Sequence, residues 1–411
     1  MSTPSTLSGI RLLDPSLEPL ASAPLRLAPG MQWPEDLDPA SLWLLPGMYD
    51  LSCRLGEPGP PHPASIGSEL RAARRGGFDT VLLNPDTDPV IDSVAVIEWI
   101  ERRASAANGA RLRLLGALTA GLQGAALAGM DGLRRAGVSG FAQGQYGLPP
   151  IDVLLSALRY AAALDRTVHL QARDPLLHQG LAAAGPHATR HGLAGIPAAA
   201  ESAALGQILA LVEDTGCRVH IGRISSATGV DWLRWGKSRG LPITADVSLQ
   251  HLLLTDEDGA EFAPHSRFDP PLRSTKDREA LLQGVADGTI DAICSDHRPH
   301  PADSYQQPLA GIPAGAAGFD SFLPLLLGAP TLQTLPLERR LQAVCNIPAA
   351  IMGEALDSAR MGVLYAPDDT WEYGPQTAHS ACCNAPQCGS SLRGRCIGVI
   401  IGGDTTLFSL P

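Results

Sequence analysis

Aromatic residues make up only 5% of this 411-residue chain, and charged residues only 18%. Positive charge is in deficit: 31 Lys plus Arg stand against 42 Asp plus Glu, a formal net charge of −11. That balance argues against a nucleic-acid protein, whose footprint is a basic patch. Long apolar runs are missing. The run Phe322 to Leu327 is far too short to span a bilayer. The amino terminus, Met1-Ser-Thr-Pro-Ser-Thr, lacks a basic region followed by an apolar stretch, so no signal peptide is expected. The eight cysteines are thinly spread, which fits reduced thiols in a cytoplasm better than a disulfide scaffold. No internal repeat and no glycine-rich G-x-G-x-x-G turn is found. What is present is a 45% hydrophobic content, which excludes a disordered chain, with 43 Gly and 35 Pro that suit many short elements joined by turns.

Short continuous apolar runs recur at Trp43–Leu51, Phe78–Leu83, Leu112–Leu118, Val138–Ala142, Thr167–Gln171, Cys217–Ile224, Pro242–Val247 and Thr289–Cys294. A parallel sheet covered on both faces demands strands of this kind. Helix-like stretches lie between them: Ile66–Arg75, Ser93–Ala104, Leu122–Arg135, Asp152–Leu164, Ala198–Thr215, Gly229–Ser238 and Lys276–Val285, with a last one near Asp320–Leu327. Asp92 and Thr275 are plausible caps. Eight strand–helix pairs predict an α/β fold, a (β/α)8 TIM-type barrel over 43–361. Residues 1–42 and 362–411 read differently, with Gly-Val-Leu-Tyr and Ile-Gly-Val-Ile-Ile-Gly-Gly as short β segments, and are expected to build one small β subdomain from both termini.

Chemistry in such a barrel sits at the carboxyl ends of the strands. The first strand ends Pro46-Gly-Met-Tyr-Asp-Leu-Ser-Cys-Arg-Leu-Gly-Glu-Pro-Gly59. Here the chain resembles the dihydroorotases of the amidohydrolase superfamily, which carry Pro-Gly-x-x-Asp-x-His-x-His-x-Arg-Glu-Pro-Gly. The resemblance continues through Gly76-Gly-Phe-Asp-Thr-Val, Asn84-Pro-Asp-Thr-Asp-Pro-Val-Ile-Asp92, Thr244–Thr255, Asp269-Pro-Pro-Leu-Arg273, Asp287–His300 and Gly311-Ile-Pro-Ala-Gly315. It implies hydrolysis of a cyclic amide, and ring closure of carbamoyl aspartate in reverse, at a zinc site that activates water. The family's ligands are the His-x-His pair, a carboxylate or carboxylated Lys on strand four, His on strands five and six, and an Asp on strand eight that also shuttles the proton.

At the matching positions this sequence has Ser52 and Arg54, the turn Gly140-Phe-Ala-Gln-Gly-Gln145, Gln171 and Arg223; only Asp296 is kept. The family Arg before Glu-Pro-Gly is Gly56, and the family Asn is Asp86. One carboxylate is too few for a catalytic zinc, which takes three protein ligands. The expectation is therefore a chain with no catalytic residue, metal or cofactor of its own, in which Asp296 is vestigial. Arg54, Arg173, Arg223 and Arg298 fall at or beside strand ends, and Arg54 or Arg223 is expected to pair with Asp296 in the metal's stead. The same cluster is a candidate for binding a small anion.

Other readings remain open at this stage. A displaced zinc site could draw on His169, His220, Asp296 and His300, although His169 and His220 read more simply as core or surface histidines. His297 and His300 are expected to be structural. Cys382, Cys383, Cys388 and Cys396 with His379 could form a zinc knot, but the spacing lacks paired C-x2-C hooks, and free cysteines are expected. Among dihydroorotase-like chains, those lacking the zinc ligands pair with aspartate transcarbamoylase in some bacteria. The resemblance to that class implies an assembly subunit for the transcarbamoylase catalytic chain in pyrimidine synthesis: a cytoplasmic hetero-oligomer without nucleic-acid or membrane partners. A working zinc cyclic amidohydrolase and an anion-binding sensor are the alternatives.

Overall fold

The structure, a computed structural model, describes residues 6–7, 10–13, 25–26, 38–258, 264–357 and 360–408. Most of the amino-terminal segment expected to join the β subdomain, and the start of the chain read for a signal peptide, lie outside the described residues.

Eight parallel strands form one sheet in sequential order: β1 (Met48–Cys53), β2 (Phe78–Leu83), β3 (Arg111–Ala117), β4 (Gly140–Ala142), β5 (Thr167–Gln171), β6 (Val219–Gly222), β7 (Ile243–Ser248) and β8 (Ala292–Cys294). Each is followed by a helix: α1 (Ile66–Arg75), α2 (Val94–Ser105), α3 (Met130–Arg135), α4 (Ile151–Ala163), α5 (Ala199–Thr215), α6 (Ala227–Ser238), α7 (Thr275–Ala286) and α8 (Phe319–Gly328). The expected (β/α)8 architecture is thus present, as a nearly closed barrel. Sequential parallel pairing needs these crossovers, and the helices cover the apolar outer face of the sheet.

Local chemistry sets several boundaries. Ser65 caps α1 in a capping box with Ser68, and Ser274 caps α7 in one with Asp277. The caps expected at Asp92 and Thr275 therefore sit one residue away, at Ser93 and Ser274. The helix expected over Leu122–Arg135 is only Met130–Arg135, because Gly121 and Gly124 take positive φ of 56° and 75° and break the turn before it. The strand expected over Trp43–Leu51 is two strands. Trp43–Pro46 pairs with Met361–Tyr373 and Arg11–Leu12 in a separate five-stranded sheet, which Ser390–Ile401 and Asp404–Leu407 complete. Gly47 marks the join, where an added Cβ would lie 2.6 Å from that of Asp79.

The seam between β1 and β8 positions the site. A single bridge, Cys53 with His297, spans it, and Arg54 N–H donates to the His297 carbonyl at 2.8 Å. Side chains do the rest. Ser295 donates to buried Asp50 from both its N–H and its hydroxyl, each at 2.7 Å. His297 stacks on Phe319 with centroids 3.8 Å apart. The Gly318 N–H donates to His297 Nδ1, so Nε2 carries the proton and donates to Glu69 of α1 at 3.1 Å. Glu69 in turn accepts from the Ser380 hydroxyl and the Ala381 N–H of the subdomain. Inside the barrel, Tyr49, Leu51, Leu82, Leu115, Ala292 and Cys294 pack below the site.

Candidate functional site

Asp296 sits immediately beyond β8, 4% exposed, at the centre of a cage of arginines. Arg223 Nη1 donates to Asp296 Oδ1 at 2.8 Å, and Arg298 Nε at 3.2 Å. Ser52 donates to the same oxygen at 3.3 Å, and Arg54 Nη1 stands 3.7 Å away. Arg223 also donates from Nη2 to Gln171 Oε1 at 2.8 Å, so its planar fork ties β5, β6 and β8 together. Arg54 turns its closest contact elsewhere: Nη2 meets Asp86 Oδ2 at 2.6 Å and Nε the same oxygen at 3.0 Å.

The local backbone aims these groups. Arg223 and Asp296 both hold positive φ, 59° and 44°. Such conformations cost of order 1–3 kcal/mol at non-glycine residues and persist where the surroundings enforce them. At Arg223 the enforcing contact is Asp246, whose Oδ1 accepts the Arg223 N–H at 2.6 Å. Two glycines make room. Gly144, in the strand-four turn, would set a Cβ 2.9 Å from that of Asp86. Gly315 would set one 2.5 Å from Arg298 Cδ, so a side chain there collides with the arginine's stem.

Charges in the cage are mutually dependent. Burial alone would raise the Asp296 pKa, but the guanidinium groups of Arg298, Arg223 and Arg54 outweigh it and hold the carboxyl below its usual range. Burial likewise acts to raise Asp86, and Arg54 overrides it. Arg298 is brought down to about 10 by burial and then by Arg54, because three guanidinium groups share two carboxylates here.

The other residues singled out in the sequence disperse. Arg173 pairs with Asp269, which also accepts from His178 Nε2 at 2.8 Å. His220 has both ring nitrogens engaged, Nδ1 with Thr244 and Nε2 with Asp246, each at 2.9 Å. His169 lies 5.0 Å from it between ring centroids, its pKa pushed well below the usual value by burial and then by His220. His300 Nε2 faces the Ala314 carbonyl at 3.2 Å, and its N–H donates to Asn384. Of the carboxyl-terminal cysteines, Cys383 and Cys388 meet, while Cys396 contacts the Gly398 carbonyl and His379 contacts Arg75. The partnership of Arg54 with Asp86 went unseen in the sequence. Its signal was there: two positions had changed to opposite charges at once.

Zinc does not fit the donors at the barrel mouth. Asp296 is hydrogen-bonded to guanidinium groups, which repel a cation. Three buried polar atoms of the cage lack hydrogen-bond partners, and two of them, Arg54 Nη1 and Gln171 Nε2, are donors. The displaced set of His169, His220, Asp296 and His300 fits no better, since His220 has no free nitrogen and Asp296 is enclosed. Among the described residues no group of three or more His, Cys, Asp or Glu side chains could hold a metal ion. A cavity of about 20 Å³ between Ser52, His169, Gln171 and Arg223 is room for about one water molecule.

Comparison with known proteins places this barrel. The dihydro-orotase-like family pattern matches residues 42–228. A dihydroorotase-like protein of Pseudomonas aeruginosa is 37% identical over 98% of this chain and 99% of its own length. The chain belongs to the dihydroorotase-like family. A dihydroorotase of Anaeromyxobacter sp. (strain K) is 35% identical over 89% of this chain and 87% of its own. The L-hydantoinase of Arthrobacter aurescens shares the fold, with a TM-score of 0.80 at 18% identity over 98% of this chain and 97% of that one. These findings overturn the expectation of a chain that is no enzyme. Substituted ligand positions carried that expectation, yet relatives 34–35% identical over 89% of this chain are named dihydroorotases. Among the described residues no helix is long and apolar enough to cross a membrane.

Proposed function

We propose that this dihydroorotase-like chain acts in pyrimidine synthesis as an assembly subunit for the catalytic chain of aspartate transcarbamoylase, in a cytoplasmic hetero-oligomer. The observation that carries the reading is the Asp296–Arg223–Arg298 cage. It ties strands five, six and eight together at the barrel mouth by contacts internal to the chain, which suits a scaffold. The likeness over full length to a protein named dihydroorotase-like supports it as well.

A second reading is hydrolysis of a cyclic amide, favoured by the relatives named dihydroorotase. The two are compatible in one chain. Co-expression with the transcarbamoylase catalytic chain from the same cell, followed by size-exclusion chromatography, tests the first. Co-elution in fixed stoichiometry is expected, and separate elution of two folded proteins refutes it. A dihydroorotate hydrolysis assay on the same fractions tests the second, and turnover that rises with chain concentration supports it.

A further inference from the structure

The turn over 382–389 crosses the base of the barrel-mouth loops and holds them. Asn384 donates to the carbonyls of Arg298 at 3.1 Å and Gly315 at 3.2 Å and to the Tyr305 hydroxyl at 2.8 Å, and it accepts from the His300 N–H. Gln387 exchanges amide hydrogen bonds with Gln250 at 2.9 and 3.2 Å. This turn is flanked by two half-buried cysteines that no role described above uses. The Cys388 N–H donates to the Ala385 carbonyl at 3.0 Å, which curls the chain so that Cys383 Sγ donates to Cys388 Sγ at 2.7 Å. The two sulfurs need close by only about 0.7 Å to reach disulfide length. The other six cysteines of the chain are buried and form no second such pair among the described contacts.

We propose that Cys383 and Cys388 form a reversible dithiol–disulfide switch that closes the 383–388 turn on itself around Asn384, the residue that holds the loop carrying Asp296 and Arg298. The oxidant is a small disulfide such as glutathione disulfide. One protein thiol gives its proton to solvent, and its sulfur attacks the reagent, forming a mixed disulfide and expelling one glutathione thiolate. The second protein thiol loses its proton and attacks the protein sulfur of that mixed disulfide, releasing the second glutathione. The protein gives up two electrons and two protons, and the reagent becomes two thiols. Burial, then the contact with Cys388, pushes the Cys383 thiol up to about 12. Asn384 lies inside the loop so closed. Oxidation therefore restrains the residue that holds the Arg298 and Gly315 carbonyls.

The test equilibrates the whole reduced protein with reduced and oxidised glutathione, quenches with acid, blocks the remaining thiols with iodoacetamide in denaturant and maps the peptides by mass spectrometry. The expected result is a Cys383–Cys388 link with the number of blocked thiols down by two from eight. Cys382→Ser should keep the link, and Cys388→Ser should abolish it. Amide exchange over 382–389 and at Arg298 should slow by roughly tenfold on oxidation. Eight blocked thiols under oxidising glutathione, a link that joins a different pair, or exchange rates that do not change between the two forms would each overturn the proposal.

Discussion

Replacing Arg223 by Met tests whether the cage is a structural core. The substitution keeps the length of the stem and removes the fork. Asp296 then loses its shortest contact, at 2.8 Å, and Gln171 Oε1 loses its donor. Removing one partner of a buried pair costs about 3–5 kcal/mol, because a charge is left without compensation. Arg298 remains 3.2 Å from the same carboxylate oxygen, which argues for the lower end of that range, and the orphaned amide oxygen adds about 1 kcal/mol. The expected loss is therefore about 4 kcal/mol. Asp296→Asn alone should also destabilise, since it leaves three guanidinium groups with less negative charge. The double variant should fall short of the sum by about 1–3 kcal/mol, the signature of direct coupling. Urea unfolding followed by tryptophan fluorescence gives all three values. An Arg223→Met protein within about 1 kcal/mol of the parent, or strict additivity in the double variant, would refute the account of the cage as a load held between these two residues.

Asp50, raised to about 7 mainly by burial, binds its proton more readily folded than unfolded between about pH 4 and 7. It therefore costs stability as pH rises through that window. Asp50→Asn should gain thermal midpoint relative to the parent from pH 5 to pH 8, and a difference that stays constant or shrinks contradicts the assignment. Gly315→Ala drives a methyl into the Arg298 stem and should destabilise by about 1–3 kcal/mol, with Arg298→Ala in the same chain relieving part of the loss. Measured by urea midpoints, no relief means the collision is absent. Asp86→Asn removes the carboxylate charge that faces Arg54 at 2.6 Å and should cost about 2–4 kcal/mol, whereas Arg54→Met with Asp86→Leu should recover much of it. Added zinc should leave the thermal midpoint of the reduced protein unchanged. One equivalent retained through gel filtration would show a donor set that the geometry does not offer.

The barrel was legible because each strand is a continuous apolar run between cappable helices, and because period and length decide between strand and helix. The boundaries were less so. Nothing in Trp43–Leu51 shows that Gly47 divides it between two sheets, since both halves are apolar and only the approach of Asp79 fixes the bend. The site was legible in part. Family positions pointed to Arg223 and Asp296 as neighbours, but spacing within one sequence does not show which carboxylate an arginine will choose. Arg54 reaches Asp86 more closely than Asp296 because Gly144 lets the strand-two loop come near, a contact across three elements. The inference from lost ligands to lost activity failed for a different reason. It treated one constellation of donors as the whole measure of function, whereas function is argued from a site and not from a gap in a pattern.

The Glu69–His297–Ser380 link has a consequence for how the polypeptide is made. One backbone bridge joins the β1 and β8 ends, and the part of the latch over Glu69 that comes from Ser380 is synthesised after all eight strands. A nascent chain that has finished β8 still lacks Ser380 and Asn384, so the seam stays without these braces until about 90 further residues emerge. Unpaired strand edges invite wrong partners during that interval. Nonsense or frameshift changes between Cys294 and Ser380 should therefore yield aggregates, in place of a shortened but soluble barrel.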